Sequence, residues 1–211
     1  MRISELSRRT GVSIPTIKYY LREELLPPGY PKARNQAEYG ERHLRRIWLI
    51  RTFTTVGGLD LSSVRKLIQV IEDERLPLAA VYRMLDRTIS RPPLEPPCPD
   101  SVAQARDQVD RLMEQLAWRP LDDSSGATTL VHVLAALRTL GCESDLAFLQ
   151  PYAKAAAALA DAELDLLVSD GGEPDRGAAV VRGVLLDVAS AALRRMAHEQ
   201  QVLVRLPDAA G

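Results

Sequence analysis

The side chains best suited to chemistry are concentrated near the amino terminus, within residues 13–22. They are Ser13, Thr16, Lys18, Tyr19, Tyr20 and Arg22. Short hydroxyls and a long cation can reach base edges and phosphates in a DNA groove, and tyrosine and arginine suit backbone oxygens. The pattern therefore predicts a contact with nucleic acid. The alternative is that these residues form only the solvated face of a small helix pair.

The elements that would position these residues are two short helices within residues 3–26. Between them, Gly11 can adopt the positive φ of a tight turn, and Val12 can fill the angle between the helices. Ser13 is placed to cap the second helix, and Pro15 falls in its first turn, where the missing amide hydrogen is not needed. This spacing predicts a helix-turn-helix.

The rest of the chain is predicted to be mostly α-helical. A β-hairpin is expected near residues 29–39, and two further helices are expected on either side of Gly57 and Gly58. The apolar positions that predict these two helices are Leu44, Ile47, Trp48, Ile50, Val64, Leu67, Ile68 and Ile71.

Helical spacing also dominates the second half of the chain. A narrow apolar stripe from Val102 to Leu116 suits helix-on-helix packing or a short coiled coil. Further helices are predicted at roughly 128–140, 151–168 and 176–205. The sequence therefore predicts an all-helical carboxyl-terminal bundle.

Charge and composition divide the chain into three predicted segments. Residues 1–75 hold 14 lysines and arginines against 9 acidic residues, whereas residues 76–211 hold 13 against 19. A basic front half is typical of a nucleic-acid contact surface, although uneven solvated faces would give the same charges. We expect a DNA-binding domain at 1–75, a short helix and proline-rich linker at 76–99, and an all-helical domain for dimerisation and effector binding at 100–211.

Composition and motifs exclude several classes of protein. No apolar run approaches the ~20 residues that cross a bilayer, and the first residues form no signal peptide, so we expect a cytoplasmic protein with no membrane partner. Cys98 and Cys142 lack metal-ligand spacing and are expected to be small apolar fillers. His43 and His198 are expected to face solvent. No phosphate-binding loop or hydrolase motif is present, so we expect no catalytic residue, metal or cofactor.

The residues around the predicted turn resemble a known family. Thr10-Gly11-Val12-Ser13, followed by I-K-Y-Y-L-R-E-E-L-L-P-P at residues 17–28, resembles the amino-terminal signature of the MerR family of transcription regulators. The similarity continues through A-R-N-Q-A-E-Y at 33–39 and V-G-G-L-D-L at 56–61, and it covers about residues 1–75. The resemblance implies a winged helix-turn-helix whose dimer bends and untwists promoter DNA.

The resemblance also implies roles for residues of the recognition helix. Thr16 and Lys18 would approach bases, and Tyr19 and Tyr20 would approach phosphates. Adjacent helical residues lie ~100° apart, so both tyrosines cannot face DNA from a straight helix. We expect Tyr20 to be the more exposed of the two.

In the wing, the resemblance implies that Arg34, Asn35 and Tyr39 contact the DNA backbone. Many family members have arginine where Glu38 stands, and a carboxylate near phosphate weakens binding. Arg34 or Arg42 is expected to compensate.

The carboxyl half resembles an actinobacterial-type subgroup of the family that ends in a compact helical module. One interpretation of this module is an effector pocket between helices, lined by Trp118, His132, Phe148 and Tyr152. The other, which we favour for the aromatic residues, is that their rings fill a bundle core. His132 is then either a satisfied buried imidazole or a pocket donor.

The sequence thus predicts a DNA-binding transcription regulator that binds a near-palindromic promoter site as a homodimer. We expect contact with double-stranded DNA and RNA polymerase, and modulation by a small-molecule effector of unknown identity. The alternative is a bundle that only dimerises or docks a protein partner, without sensing. A third hypothesis is an enzyme with a DNA-targeting head, which no catalytic motif supports.

Overall fold

The computed structural model describes residues 1–33, 36–90, 99–120, 123–142, 146–168 and 175–206. Over these residues the chain is mostly α-helical with a small antiparallel hairpin, which confirms the predicted fold class. Arg34 and Asn35, which are predicted to contact DNA, lie outside the described residues. Cys98 and most of the proline-rich linker lie outside them as well.

The elements follow the predicted order. The amino-terminal ones are α1 (Ile3–Thr10), α2 (Ile14–Arg22), β1 (Tyr30–Ala33), β2 (Gln36–Glu38), α3 (Glu41–Thr55) and α4 (Leu61–Glu72). The later ones are α5 (Leu78–Ile89), α6 (Pro99–Leu116), α7 (Ser125–Thr139), a 3₁₀ helix (Leu146–Leu149), α8 (Gln150–Val168) and α9 (Arg176–Arg205). The three helices predicted after residue 127 are present, with bounds within a few residues of those expected.

The chain divides into two compact units. The first comprises Met1–Glu72 together with Gly183–Gly211, and the second comprises Asp73–Arg182. This division differs from the predicted segments in two respects: the predicted segment at 76–99 falls within the second unit, and α9 is divided between the units. The part of α9 from Gly183 onward groups with the amino-terminal unit and not with the other helices of the predicted domain at 100–211.

The turn between α1 and α2 has the predicted local chemistry. Gly11 has a φ of 67°, in the left-handed region, and the Ser13 hydroxyl accepts a hydrogen bond from the Thr16 amide at 3.2 Å. Arg51 of α3 donates a hydrogen bond to the carbonyl oxygen of Thr10 at 2.6 Å. Since this carbonyl lies at the end of α1, the guanidinium also offsets the negative end of the helix dipole.

A single apolar core fixes this helix pair against α3 and α4. The side chains with no exposed surface in this core include Leu6, Ile17, Leu44, Ile47, Ile50, Phe53, Val64 and Leu67. They recur every three or four residues along their helices, so each helix presents one apolar stripe to the interior.

The hairpin lies between α2 and α3 in the chain, as predicted. Tyr30 pairs with Glu38 and Pro31 with Ala37, and a register shift follows Pro31. A two-stranded hairpin is marginally stable alone in water, so this one needs support from neighbouring elements.

In the second unit, the predicted stripe of α6 packs on α7. The shared core consists of Ala105, Val109, Val131, Leu134 and Ala135. The start of α7 is fixed by Asp86 of α5, whose carboxylate accepts a hydrogen bond from the Ser125 amide at 2.8 Å. No helix among the described residues is long and apolar enough to cross a membrane.

Gly57, in the turn between α3 and α4, has no room for a side chain. A Cβ atom there would lie 2.7 Å from both the Phe53 carbonyl oxygen and Cγ1 of Val184 in the same unit. We therefore expect Gly57→Ala to lower the free energy of unfolding by about 1–3 kcal/mol, because the backbone must shift. Urea denaturation followed by circular dichroism measures the change.

Gly126→Ala is the matched control for this prediction. Its added methyl would lie 3.4 Å from Oδ1 of Asp86, an ordinary contact, and alanine is favoured over glycine in a helix. Equal stability of the two alanine variants would contradict the steric argument at Gly57.

Candidate nucleic-acid interface

The leading end of α2 carries two linked hydroxyl groups. Ser13 caps the helix, and its hydroxyl lies 2.7 Å from the hydroxyl of Thr16. Both side chains lie on the outer side of the domain, with Ser13 exposed and Thr16 half-buried. Each hydroxyl can donate and accept, so the pair can hydrogen-bond a base edge or a phosphate oxygen.

Further along α2, two cations project into solvent. Lys18 is exposed and has no ion-pair partner among the described residues. The Arg22 side chain is 72% exposed, and its guanidinium lies 5.4 Å from the centroid of the Tyr19 ring. A ring at this distance attracts the cation and limits the directions that it takes.

The two tyrosines of α2 differ in exposure in the opposite sense to the prediction. Tyr19 is 37% exposed and Tyr20 only 8%, so the expectation that Tyr20 is the more exposed is wrong. The reason is that Tyr20 lies three residues after Ile17, on the same buried face of the helix. Burial accordingly raises the pKa of the Tyr20 hydroxyl, which stays protonated. Tyr19 is therefore the tyrosine placed to meet a phosphate.

Tyr39, predicted as a wing contact, belongs to the core at the base of the hairpin. It is buried, its backbone amide donates to the carbonyl oxygen of Met1 at 2.8 Å, and its ring meets the His43 ring edge-on at 5.2 Å between centroids. Burial raises the pKa of its hydroxyl. The hydroxyl has no hydrogen-bond partner among the described residues and is not sealed from solvent. Little of the Tyr39 side chain is therefore available for a DNA contact.

His43 fastens both ends of the wing, and the expectation that it faces solvent is wrong. Its side chain is 1% exposed. Nδ1 accepts a hydrogen bond from the Gly40 amide at 3.0 Å, after β2, and Nε2 lies 3.2 Å from the carbonyl oxygen of Pro28, before β1. Because an amide can only donate, Nδ1 must be unprotonated, and Nε2–H then donates to Pro28. A signal was present in the sequence, since His43 lies four residues before the buried Ile47.

The acidic residue in the wing is neutralised by a cation that sequence reasoning missed. Lys32 of β1 forms an ion pair with Glu38 of β2, and this hydrogen bond lowers the pKa of the Glu38 carboxyl below its ordinary value. Arg42 lies 3.5 Å from Glu72 of α4, and its compensation for Glu38 stays a prediction. Arg34, the other predicted candidate, lies outside the described residues.

One apolar residue of α3 is unexpectedly exposed. Trp48, which the sequence pattern assigns to the apolar stripe, has 48% of its surface accessible. It follows Ile47 directly, so it is rotated ~100° away from the buried face. Arg45, one turn earlier, is also exposed and has no partner among the described residues.

The residues proposed from sequence for an effector pocket do not form a bundle core. Trp118, Phe148 and Tyr152 are 41–46% exposed, although the last two stack at 5.4 Å between ring centroids. His132 is half-buried, and its Nδ1 is buried without a hydrogen-bond partner in the described part of the chain. The expectation that the aromatic rings fill a core is therefore wrong, and the effector pocket stays a prediction.

A histidine and a cysteine in the carboxyl half of the chain are both exposed. His198 is exposed, as expected. Cys142 is exposed rather than an apolar filler. Across the described ranges, no group of three or more histidine, cysteine, aspartate or glutamate side chains is arranged to hold a metal ion.

Comparison with known proteins identifies the amino-terminal part of the chain. Residues 1–71 match the family of MerR HTH family regulatory proteins. The HTH-type transcriptional regulator ZntR homolog of Haemophilus influenzae is 28% identical over 89 residues, which are 42% of this chain and 65% of that protein. The aligned part thus spans less than two thirds of this curated relative.

A solved structure extends the similarity to the whole chain. SCO5550 from Streptomyces coelicolor A3(2), a proposed transcriptional regulator with a crystal structure, is 34% identical in sequence to this chain. The two structures superpose with a TM-score of 0.68. The similarity covers 98% of each chain. Together with the match over residues 1–71, this shows that the chain belongs to the MerR family of transcriptional regulators.

Proposed function

We propose that the protein regulates transcription by binding a near-palindromic promoter site in double-stranded DNA as a homodimer. The observation that carries this proposal is the outer face of α2, where Lys18, Tyr19 and Arg22 project beyond two linked hydroxyls. A helix of this kind fits the major groove, with its leading end at the bases and its later residues at phosphates.

The distribution of ion pairs supports this choice of face. Arg8 pairs with Glu5 at 2.7 Å, Arg9 with Glu41 at 2.9 Å, and Arg42 and Arg46 share Glu72. These pairs reduce the positive potential on α1 and α3. Lys18 has no such partner among the described residues, so its charge at the recognition helix is available to phosphate.

The end of α9 supports the homodimer. Residues 193–206 are all exposed, and Leu193, Met196 and Leu203 are each more than half accessible. A helical segment of ~14 residues is marginal in water without packing, so this face requires a partner. A second copy is the partner that a two-fold operator requires. Contact with RNA polymerase and a cytoplasmic location remain predictions that follow from the proposed role.

The roles within α2 are tested by single substitutions. Arg22→Ala should weaken binding to the promoter and to random duplex alike, and lower the salt slope by about 1, because it removes one phosphate contact. Thr16→Ala should instead reduce the preference for the promoter over random duplex, because a base contact is lost. Gel-shift or fluorescence-anisotropy titrations at several salt concentrations measure both quantities.

Arg83→Ala, an exposed arginine of α5 in the second unit, is the matched control and should change neither quantity. The proposal fails if the unmodified protein does not prefer its upstream DNA over random duplex in moderate salt. The role assignment fails if Arg22→Ala alters preference and Thr16→Ala alters only overall affinity.

The dimer is tested at α9. We expect Leu193→Glu combined with Leu203→Glu to convert the dimer into a folded monomer, because charges placed in an apolar interface have no partner. Sedimentation velocity measures the mass, and circular dichroism checks the helix content. Val133→Glu, an exposed residue of α7, is the control and should leave the mass unchanged. A persistent dimer in the double variant would place the interface elsewhere, and a monomeric unmodified protein would refute the dimer.

A second candidate is the same regulator with a carboxyl-terminal bundle that only dimerises or docks a protein. The exposure of Trp118, Phe148 and Tyr152 favours it over a sensor, because an effector pocket buries most of its ligand. A thermal-shift screen of small molecules separates the two. A ligand at about 100 times its dissociation constant adds about 2.7 kcal/mol of stability, whereas the second candidate predicts no shift with any compound.

A further inference from the structure

A carboxylate lies at the end of the recognition helix, where it contacts two arginines. Glu23 is the C-cap residue of α2. Its Oε2 accepts a hydrogen bond from Nη2 of Arg65 in α4 at 3.0 Å, and its Oε1 lies 3.9 Å from Nε of Arg22. One acidic side chain thus holds cations from two helices at the edge of the candidate DNA-binding face.

The position of Glu23 is unfavourable for the helix itself. The carboxyl-terminal end of a helix carries partial negative charge, which repels a carboxylate there. The ion pairs of Glu23 are also partly exposed, and pairs of this kind contribute little to stability. Helix stability therefore does not explain an acidic residue at this site.

The pairing with Glu23 instead affects how readily Arg22 and Arg65 can contact a phosphate. Arg22 is directed by the Tyr19 ring toward the outer face, where a phosphate would compete with Glu23 for the guanidinium. Arg65 is bonded to Glu23 through Nη2 alone, and its buried Nε has no hydrogen-bond partner in the described part of the chain. Binding of DNA must then either displace the carboxylate or leave it near phosphate.

We propose that Glu23 is a built-in restraint on DNA affinity, because its carboxylate holds Arg65 away from the phosphate backbone and competes with phosphate for Arg22. This inference rests on the proposed DNA-binding function. Every phosphate contact at this end of α2 is weakened, because the Glu23 carboxylate repels the phosphate. The restraint favours promoter sites that offer base contacts over random duplex, which offers phosphates alone.

The test compares Glu23→Gln with Glu24→Gln. Glu24 is the next residue, is exposed and has no partner among the described residues. Its φ of 58° is in the left-handed region, so glutamine preserves both side-chain size and backbone strain. The two variants change the net charge equally, and only Glu23→Gln releases arginines.

We expect Glu23→Gln to bind duplex DNA about 10-fold more tightly near 0.1 M salt, with a salt slope steeper by about 1, because Arg65 adds one phosphate contact and each contact contributes about 0.9. The gain should be larger for random duplex than for the promoter. Glu24→Gln should keep the slope of the unmodified protein. Adding Arg65→Gln to Glu23→Gln should make the slope shallower by about 1, toward that of the unmodified protein. This difference measures the contribution of Arg65.

Identical slopes for the two single variants, or weaker binding by Glu23→Gln, would overturn the restraint. An unchanged slope on adding Arg65→Gln would overturn the part assigned to Arg65. Urea unfolding of Glu23→Gln provides the structural readout, since a folded variant with weakened binding still refutes the inference. Failure of the proposed function looks different, because the unmodified protein and Glu24→Gln would then show no promoter preference either.

Discussion

Burial of one face of α2 determines where the recognition side chains point. Ile17 has no exposed surface and Tyr20 very little, and both pack into the core built by α1, α3 and α4. Rotation of the helix by a single residue step, ~100°, would expose these two side chains and bury Lys18 or Tyr19. The direction of the cations is therefore fixed by apolar packing on the opposite side of the helix. The hydrogen bond from Arg51 to the Thr10 carbonyl also links α3 to the end of α1.

The wing depends on α3 in a comparable way, but through polar contacts. A hairpin of seven strand residues has too little surface to hold itself, so its position is set where the chain enters and leaves it. His43 accepts a hydrogen bond from the Gly40 amide through Nδ1 and donates one to the Pro28 carbonyl through Nε2. Both bonds form when the ring carries its proton on Nε2. The edge-on rings of Tyr30 and Tyr39 surround that imidazole. The geometry of the wing is thus a property of the first turn of α3.

Local sequence rules predicted the turn and the helix cap. They failed where tertiary packing determines which of two adjacent residues is buried. Gly11 and Ser13 act on atoms a few residues away, so their roles can be derived from spacing alone. The choice between Tyr19 and Tyr20 depends on which face the core covers, and the interior position of His43 depends on two carbonyl and amide groups from a hairpin. The pairing of Lys32 with Glu38 depends on strand register, which composition does not specify. Trp48 shows that an apolar residue next to a buried one in the sequence can itself be exposed.

Net charge predicted that the front of the chain is basic, and the structure explains why the sum is a poor guide to the interface. Glu41 and Glu72 neutralise arginines of α1 and α3, and Glu38 neutralises Lys32. The acidic residues of this domain therefore determine which cations remain available to a phosphate. Lys18 is left without a partner in the described chain, whereas Arg22 is shared between the Tyr19 ring and Glu23. A helix that needed only affinity would carry no carboxylate at that end. The arrangement is better suited to a protein that must leave incorrect sites quickly, because phosphate contacts are common to every sequence and base contacts are not.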